Sequence, residues 1–298
     1  MNTDKIKIFV VARGGTSHES KKSHDYGAFV LDVLKKNKKE TRDLYLHPNG
    51  IFTLDGLPIV LENKIPDFHF VWIALVGTDG EQNIISSLCE KYNVKYSGSS
   101  SLQSILASDK HNLKQAVRQH GIKTPYSYFA KNNSKKNDNK NAKDEALKIF
   151  GLVGIPVIIK PNNGSDSQHI DVATNYAEIE ACIKKLFDLG IDAIAEKHVK
   201  GLPISVFVYS LGDVLHTNII SSEDFEYDKN EIRNEALYIH HILGFSDHAE
   251  YDFVVNEKGI NLLEVNTHPH LLDHKYSKIW NGKNSLEKYI LHKTSDLV

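Results

Sequence analysis

Three oxygen-bearing side chains near the end of the sequence have the types and the spacing of a metal site. Glu264 and Asn266 are two residues apart in an apolar segment, so in a strand they project from the same face. Asp252 lies in a second apolar segment, and the turn-like residues 256–259 between the two segments predict a hairpin. Because carboxylate and amide oxygens are the ligands that Mg²⁺ prefers, this hairpin could bind the ion, commonly together with nucleotide phosphates. The alternative is a half-exposed hairpin whose polar face meets water.

Two lysines and one strand end have the character of a nucleotide site. Lys160 ends an apolar strand just before the polar turn 162–167, where it could neutralise a phosphate that the turn's backbone N–H groups also bind. Lys110, in a predicted helix, could serve as a second phosphate cation. Glu196 ends another apolar strand, and the backbone of the next three residues could bind an adenine edge. Each residue also has an ordinary interpretation, because charged side chains are common at strand ends and on the polar faces of helices.

The composition is that of an ordinary globular protein. The 298 residues are 41% hydrophobic and 25% charged, which is enough apolar sequence to form buried cores. A net charge of −2 gives no electrostatic reason to expect nucleic acid or an anionic membrane as a partner. The two cysteines, Cys89 and Cys182, have no metal-ligand spacing and suit a reducing compartment. No segment has the length needed to span a bilayer, so we expect a soluble, cytoplasmic protein.

The arrangement of apolar segments predicts three domains that would position these residues. Strands and helices alternate over residues 1–103, which is the pattern of an α/β domain with a parallel sheet. Residues 104–190 and 191–298 combine antiparallel strands with helices, so both are predicted to be α+β domains. The segment 131–144 is rich in lysine and asparagine and lacks apolar periodicity, so it predicts a solvated loop before a helix at 145–150.

The order of these features along the chain resembles that of the ATP-grasp fold, and the fuller resemblance is to the D-alanine–D-alanine ligases. The matching segments are GGTSHE at 14–19, DG at 79–80, YSGS at 96–99, ASDKHNLK at 107–114, GIKTP at 121–125 and EVNTHP at 264–269. The resemblance implies a Rossmann-like N-terminal domain, a small central domain and a C-terminal domain that carries the metal. ATP would lie between the last two domains, and the first domain would form a homodimer.

The resemblance also implies an activity and a role for each candidate residue. In such a ligase ATP phosphorylates a carboxylate, and an amine then attacks the acyl phosphate. The substrate would be a small amino acid or a peptide, and the cofactors would be ATP and Mg²⁺ or Mn²⁺. By this resemblance the phosphates would be bound by Lys110 and Lys160, and the adenine by Glu196, Lys197, His198 and Val199. The metal would be held by Asp252, Glu264 and Asn266, and the amino-acid substrate would contact Glu19 and Ser165.

Two further candidate catalytic positions, Glu250 and His270, depart from this family. Glu250 stands where the family has an arginine that steadies the tetrahedral intermediate, and His270 replaces a glycine whose N–H helps to hold the oxyanion. Val76 replaces a histidine of the first-domain loop. A carboxylate should repel a developing oxyanion unless a metal or His270 compensates, and the sequence places no other cation there. The alternative is that Glu250 turns to solvent and a neighbouring lysine serves instead. With the repulsion uncompensated, we expect D-alanine to be a poor substrate; the alternatives are ligation of another amino acid or peptide, or nucleotide binding without ligation.

Overall fold

The computed structural model describes residues 7–82, 84–133, 139–164, 169–221, 226–280 and 285–295. Within these residues the backbone forms three β-sheets, of six, four and four strands. They follow one another along the sequence, which confirms the predicted succession of an α/β part and two α+β parts. No helix of the described chain is long and apolar enough to cross a membrane.

The first sheet is mostly parallel and is built from the alternating strands and helices of residues 8–96. Its elements are β1 (Ile8–Gly14), α1 (Ser20–Lys36), β2 (Glu40–Leu46), β3 (Phe52–Leu54), β4 (Leu57–Pro58), α2 (Leu61–Lys64), a 3₁₀ turn (Ile65–Asp67), β5 (Phe70–Ile73), α3 (Thr78–Glu81), α4 (Ile84–Tyr92) and β6 (Lys95–Tyr96). The strand order is β4-β3-β2-β1-β5-β6, and β1 runs parallel to both β2 and β5. Phe9 and Val11 pack with α1, whereas Val10 and Ala12 enter the core on the other face, because side chains alternate along a strand.

The second sheet is antiparallel and follows a pair of helices. This part contains α5 (Ser101–Ser108), α6 (Lys110–Gln119), β7 (Ser127–Ala130), α7 (Asn139–Leu152), β8 (Val157–Pro161), β9 (Asp171–Ala173), α8 (Tyr176–Asp188) and β10 (Ala193–Lys197). The strand order is β7-β10-β8-β9. Helices α7 and α8 cover the sheet with buried side chains that include Ile149, Ile179 and Ile183.

Two features of this second part differ from the pattern that the sequence predicts. Helix α7 begins at Asn139, so part of the predicted solvated loop is helical. Of the described side chains at 140–144, the small Ala142 is the one that is buried, and so the segment lacks an obvious apolar period. Strand β10 is hydrogen-bonded to β7 and β8, although the predicted boundary after residue 190 assigns it to the last domain.

The third sheet carries the candidate metal residues. Its part of the chain contains β11 (Leu202–Leu211), β12 (Val214–Ile220), α9 (Lys229–Ile242), β13 (His248–Asn256), β14 (Gly259–Asn266), a 3₁₀ turn (His274–Tyr276) and α10 (Leu286–Ser295). The strand order is β12-β11-β13-β14, and each neighbouring pair is antiparallel. Strands β13 and β14 form the predicted hairpin, with its turn directly after Asn256.

A buried carboxylate joins the first and third sheets. Asp247 accepts hydrogen bonds from the Gly98 N–H at 2.7 Å and from the Tyr289 hydroxyl at 3.0 Å, and the Lys293 ammonium lies 2.5 Å from it. Trp72 of β5 and Tyr289 of α10 also meet edge to face within one shared core. These contacts hold the first part of the chain against the sheet that carries the site.

Candidate active site

The predicted metal residues lie side by side on the hairpin strands. Asp252 is directly opposite Glu264, and Glu250 is opposite Asn266, so the four side chains share one face of the sheet. Ser205 on β11 is opposite Asp252, and its hydroxyl donates a hydrogen bond of 2.5 Å to the Asp252 carboxylate. The structure therefore brings Asp252, Glu264 and Asn266 together, and their role as metal ligands stays a prediction.

Repulsion among the carboxylates makes this row suitable for a cation. Burial, followed by the charges of Glu250 and Glu264, raises the pKa of Asp252 to about 7. A divalent cation at this position would remove the repulsion and favour the charged carboxylate. Among the described residues no three His, Cys, Asp or Glu side chains form a group that could hold a metal, so the predicted set depends on the Asn266 amide and on water or phosphate oxygens. The Asn266 oxygen accepts the His268 N–H at 2.9 Å and keeps one lone pair for a cation.

Three buried lysines meet two carboxylates next to this row. The ammonium groups of Lys114 and Lys160 lie 3.2 and 3.4 Å from the Glu196 carboxylate. Lys160 also lies 3.9 Å from the Glu264 carboxylate, and Lys110 lies 3.8 Å from it. The two predicted phosphate lysines thus converge at Glu264. The sequence-based site did not include Lys114, although the matching segment 107–114 ends at this residue, one helical turn after Lys110.

The lysines and carboxylates keep one another charged. Burial opposes the charge of Glu196, but Lys114 and Lys160 outweigh it and hold the pKa of Glu196 below its usual range. Burial lowers the pKa of Lys114 to about 8 despite the attraction of Glu196. For Lys160, burial is outweighed by Glu196 and Glu264, and the pKa is raised. Together with Lys110, the lysines outnumber these two carboxylates, so the network has positive charge to offer a phosphate.

Asn162 holds the two predicted phosphate lysines together. Its carbonyl accepts the Lys110 N–H at 3.0 Å, and its side-chain amide donates to the Asp109 carboxylate at 2.9 Å. These bonds tie the start of α6 to the turn after β8, and the Lys110 ammonium reaches the Gly164 carbonyl in that turn. Ser165, predicted to contact the substrate, lies outside the described residues.

The end of β10 and the residues that follow it border an open cavity of about 650 Å³, which Lys197, His198 and Val199 line. The N–H groups of Lys197 and His198 already donate to backbone carbonyls, at 2.8 and 3.2 Å. The Val199 N–H has no acceptor within the described part of the chain, so it remains available to a ligand. Glu196 does not line this cavity, because its carboxylate is directed at the two lysines.

The N-terminal loop presents Glu19 at the start of α1. Its carboxylate pairs with Lys22 at 2.8 Å and closely approaches Gly77, where a Cβ would collide with it. Gly77 also has φ +63, a conformation that other residues rarely adopt. Asp79 accepts two backbone N–H groups of the loop 14–19, at 2.8 and 3.0 Å. Contacts between two separate segments of the first domain therefore fix the position of Glu19.

Glu250 has a cation beside it, so the expectation that none lies near this carboxylate is wrong. The buried Glu250 carboxylate accepts hydrogen bonds from the Lys275 ammonium at 2.5 Å and from the Tyr276 hydroxyl. Lys275 and Glu250 are 25 residues apart in the sequence, and no spacing rule predicts a contact between them. His270 does not compensate Glu250: its ring packs edge-on against Tyr26, and burial lowers its pKa.

Comparisons with known proteins agree with this geometry. Residues 107–270, more than half of the chain, match the ATP-grasp domain family. The chain is 27% identical over 293 residues to a D-alanine–D-alanine ligase of Clostridium beijerinckii, covering 89% of this chain and 88% of that protein. It is 29% identical over 299 residues to the enzyme of the same name from a Marinomonas species, covering 91% and 89%.

Solved structures with the same fold cover almost the whole chain. The D-Ala:D-Ser ligase VanG of Enterococcus faecalis superposes with a TM-score of 0.80 at 19% identity, covering 98% of this chain and 99% of that one. The D-alanine–D-alanine ligase of Bacillus anthracis has a TM-score of 0.76 at 22% identity, covering 98% of each chain. The predicted fold is thereby confirmed. The chain belongs to the ATP-grasp family and is a divergent relative of the D-alanine–D-alanine ligases.

Proposed function

We propose that this protein is an ATP- and Mg²⁺-dependent ligase that joins a carboxylate to an amine through an acyl phosphate. Relatives that match over most of the chain are named D-alanine–D-alanine ligases, which supports the ligase class. The observation that carries the proposal is the convergence of Lys110 and Lys160 on Glu264, at 3.8 and 3.9 Å. It puts two cations of the kind that bind phosphates next to a carboxylate of the candidate metal row.

The chain's own residues would bind and orient the nucleotide. Lys110 and Lys160 neutralise its phosphates, and Glu196 acts as a positioning residue because it holds the Lys160 ammonium at 3.4 Å. The adenine would lie in the cavity that residues 197–199 line, where the Val199 N–H, which has no acceptor among the described residues, would donate to a ring nitrogen. Burial of both lysines supports this assignment, because a desolvated ammonium binds a phosphate more strongly than an exposed one.

Asp252, Glu264 and Asn266 would hold the Mg²⁺ or Mn²⁺. A divalent cation there neutralises charge on the phosphoryl group during transfer. The protein contributes the alignment of the ligands, since the register of β13 with β14 sets Asp252 opposite Glu264. The hydrogen bond from Ser205 fixes the Asp252 carboxylate in place.

The amino-acid substrate would lie between Glu19 on the first domain and Glu250 on the third sheet, with Ser165 as a further contact. A substrate other than D-alanine is supported by the pairing of Glu250 with Lys275, which changes the charge of this half of the site. The same substitution at Glu250 also supports a second candidate function, nucleotide binding without ligation, because the intermediate would lack the family's arginine.

We also propose an assembly, a location and domain boundaries for the protein. The protein would be a cytoplasmic homodimer that associates through its first domain. The first of its three domains would end near residue 103, and the second boundary would follow Lys197 rather than residue 190, because β10 pairs with β7 and β8.

Nucleotide binding can be tested by urea denaturation with and without ATP and Mg²⁺. At a free ligand concentration of about a hundred times the dissociation constant, binding should raise the free energy of unfolding by about 2.7 kcal/mol. Glu264→Gln should remove most of this Mg²⁺-dependent gain, because a hard cation loses an anionic oxygen. Glu287→Gln, at an exposed position on α10, is the matched control. An equal gain in the two variants would exclude the hairpin from the nucleotide site.

Ligation can be tested by a mass-spectrometric screen of amino-acid pairs for products that require ATP. We expect a product from at least one pair, and little or none from D-alanine alone. D-alanine turnover near the usual enzyme median of about 10 per second would show that the changes at Glu250 and His270 are compensated. Absence of any product, together with ATP binding, would favour the second candidate function.

A further inference from the structure

A second cavity, of about 490 Å³, lies beside the Glu250–Lys275 pair. Its apolar lining includes Ile220 and Ile279, and its charged lining consists of two lysines, Lys275 and Lys278, and one carboxylate, Asp273. The volume falls within the range of about 300–1,000 Å³ that is typical of small-molecule sites. The cavity therefore has the size and the mixed lining of a place for a small organic ligand.

This cavity adjoins the candidate metal row on the same face of the third sheet. Ile220 of β12 is directly opposite Ser205 of β11, and Ser205 is directly opposite Asp252 of β13. Directly opposite residues of neighbouring strands project from the same face. A molecule that occupies the cavity would thus lie next to the place proposed for phosphoryl transfer.

Lys275 presents a positioned ammonium group to the cavity. Its side chain is 40% exposed, whereas the Glu250 side chain to which it is bound is 2% exposed. The second oxygen of Glu250 accepts the Tyr276 hydroxyl, so the carboxylate is held from both sides. Within the described chain the Lys275 ammonium donates only to Glu250, and an ammonium has three donors. Two donors therefore remain for an anionic ligand.

We propose that Lys275 binds the carboxylate of the amino acid whose amine attacks the acyl phosphate, here called the acceptor, and that the cavity takes an apolar acceptor side chain larger than a methyl group. This inference rests on the proposed ligase function, which requires an amine substrate beside the acyl phosphate. The ammonium matches a carboxylate, and Ile220 and Ile279 match an apolar side chain. Each additional buried methylene is worth about fourfold in affinity, so alanine would use little of this surface.

The test measures amino-acid binding by titration calorimetry to the full-length protein saturated with Mg²⁺ and a non-hydrolysable ATP analogue. The probes are both enantiomers of leucine, alanine and leucinamide, which lacks the carboxylate. We expect one leucine enantiomer to bind at least about tenfold more tightly than the corresponding alanine and the corresponding amide. Equal binding of leucine and alanine, or no binding of either, would overturn the proposed subsite.

Variants at positions 250 and 275 distinguish two possible roles of Lys275, which are binding of the acceptor and neutralisation of Glu250. Lys275→Met should abolish the preference for leucine over leucinamide, but it leaves Glu250 buried without its cation. The double variant Glu250→Gln/Lys275→Met contains no such buried charge, and we expect it to lack the preference as well. If the double variant binds leucine as the wild type does, Lys275 only neutralises Glu250 and the proposal is wrong. Lys184→Met, which removes an exposed lysine paired with Asp188, should change nothing.

The same samples are then assayed for an ATP-dependent product, which distinguishes this inference from the proposed function. Leucine binding that depends on Lys275, with no product from any amino-acid pair, would refute ligation and retain the subsite. Product formation that is unchanged in both Lys275 variants would retain ligation and refute the subsite.

Discussion

The substitution Glu196→Gln removes a charge that two buried lysines share. Lys114 and Lys160 lie 3.2 and 3.4 Å from this carboxylate, and the side chains of Glu196 and Lys114 are each 1% exposed. Removing one partner of a buried ion pair costs about 3–5 kcal/mol, because the other partner stays desolvated without its attraction. We therefore expect the free energy of unfolding without nucleotide to fall by about this amount.

An upper limit on the share of Lys114 in this loss follows from its protonation. Wild-type Lys114 has a folded-state pKa of about 8 and is charged at pH 7. Complete loss of its proton in the variant would therefore account for at most about 1.4 kcal/mol of the difference from wild type, since each pH unit is worth about 1.4 kcal/mol. Lys114 is the group that would lose its proton, because burial already lowers its pKa to about 8. Lys160 keeps Glu264 at 3.9 Å as a partner, so the rest of the expected loss is the attraction of Glu196 that Lys160 gives up.

The destabilisation caused by Glu196→Gln should depend on pH in a defined direction. The folded-state pKa of Lys114 lies below its unfolded value, so the native protein binds fewer protons above pH 8 and its stability rises with pH there. In Glu196→Gln this rise should begin at lower pH, because the lysine loses its attraction. The difference between variant and wild type should therefore be largest below pH 8 and smaller at pH 9.

Urea denaturation at pH 7 and pH 9 is the assay, with Asp188→Asn as the control. Asp188 pairs with Lys184 at 2.8 Å on the surface, where both side chains are well exposed, and its loss should cost no more than about 0.5 kcal/mol. A loss below about 1 kcal/mol for Glu196→Gln at pH 7 would refute the buried charge network.

Acid should destabilise the protein partly through His240, whose pKa burial lowers to about 4. Its folded state resists protonation, so the free energy of unfolding should fall between about pH 6.5 and 4 by up to about 1.4 kcal/mol per pH unit. His240→Gln should flatten this slope in urea titrations, whereas the exposed His241→Gln should not; equal slopes would contradict the reasoning. Gly80→Ala should cost about 1–3 kcal/mol, because its Cβ would collide with the Leu75 carbonyl oxygen and would lie 2.7 Å from the His268 Cβ. Gly151→Ala, in α7 with no atom within 4 Å of its Cβ, should stabilise by about 0.5–1 kcal/mol, and an equally stable Gly80 variant would speak against this packing argument.

Local patterns are sufficient to predict the hairpin that carries the candidate metal residues. Side-chain alternation puts Glu264 and Asn266 on one face in any strand, whatever the rest of the chain does. The turn-like residues 256–259 then bring the two strands together, but their register alone would pair Asp252 with Leu263. A register shift between Asp252 and Phe253, which the sequence does not predict, sets Asp252 opposite Glu264. The alternation of strands and helices in the first hundred residues likewise predicts the parallel sheet that the structure contains.

The short motifs of the first domain predict the family, and the structure supplies the physical reason for two of their glycines. Gly80 and Gly98 both lie against the ring or the Cβ of His268, which follows the candidate metal strand. Gly98 also has φ +98, which disfavours any side chain there. The sequence identifies these positions by their residue types. His268, which lies against both, belongs to another domain, while the Leu75 carbonyl oxygen of the first domain would lie nearest to a Cβ at Gly80.

Contacts between distant segments were decided only by the tertiary structure. The sequence showed that Glu196 ends a strand, but the pairing of β10 with β8 is what sets that carboxylate beside the buried lysines. In the same way, Glu250 was identified as a departure from the family, while the turn at 274–276 supplies Lys275 as its cation. Residue type and local period determine which side chains share a face of one element. Which elements pack together depends on the free energy of burying their whole faces against one another, and that free energy is a property of the complete fold.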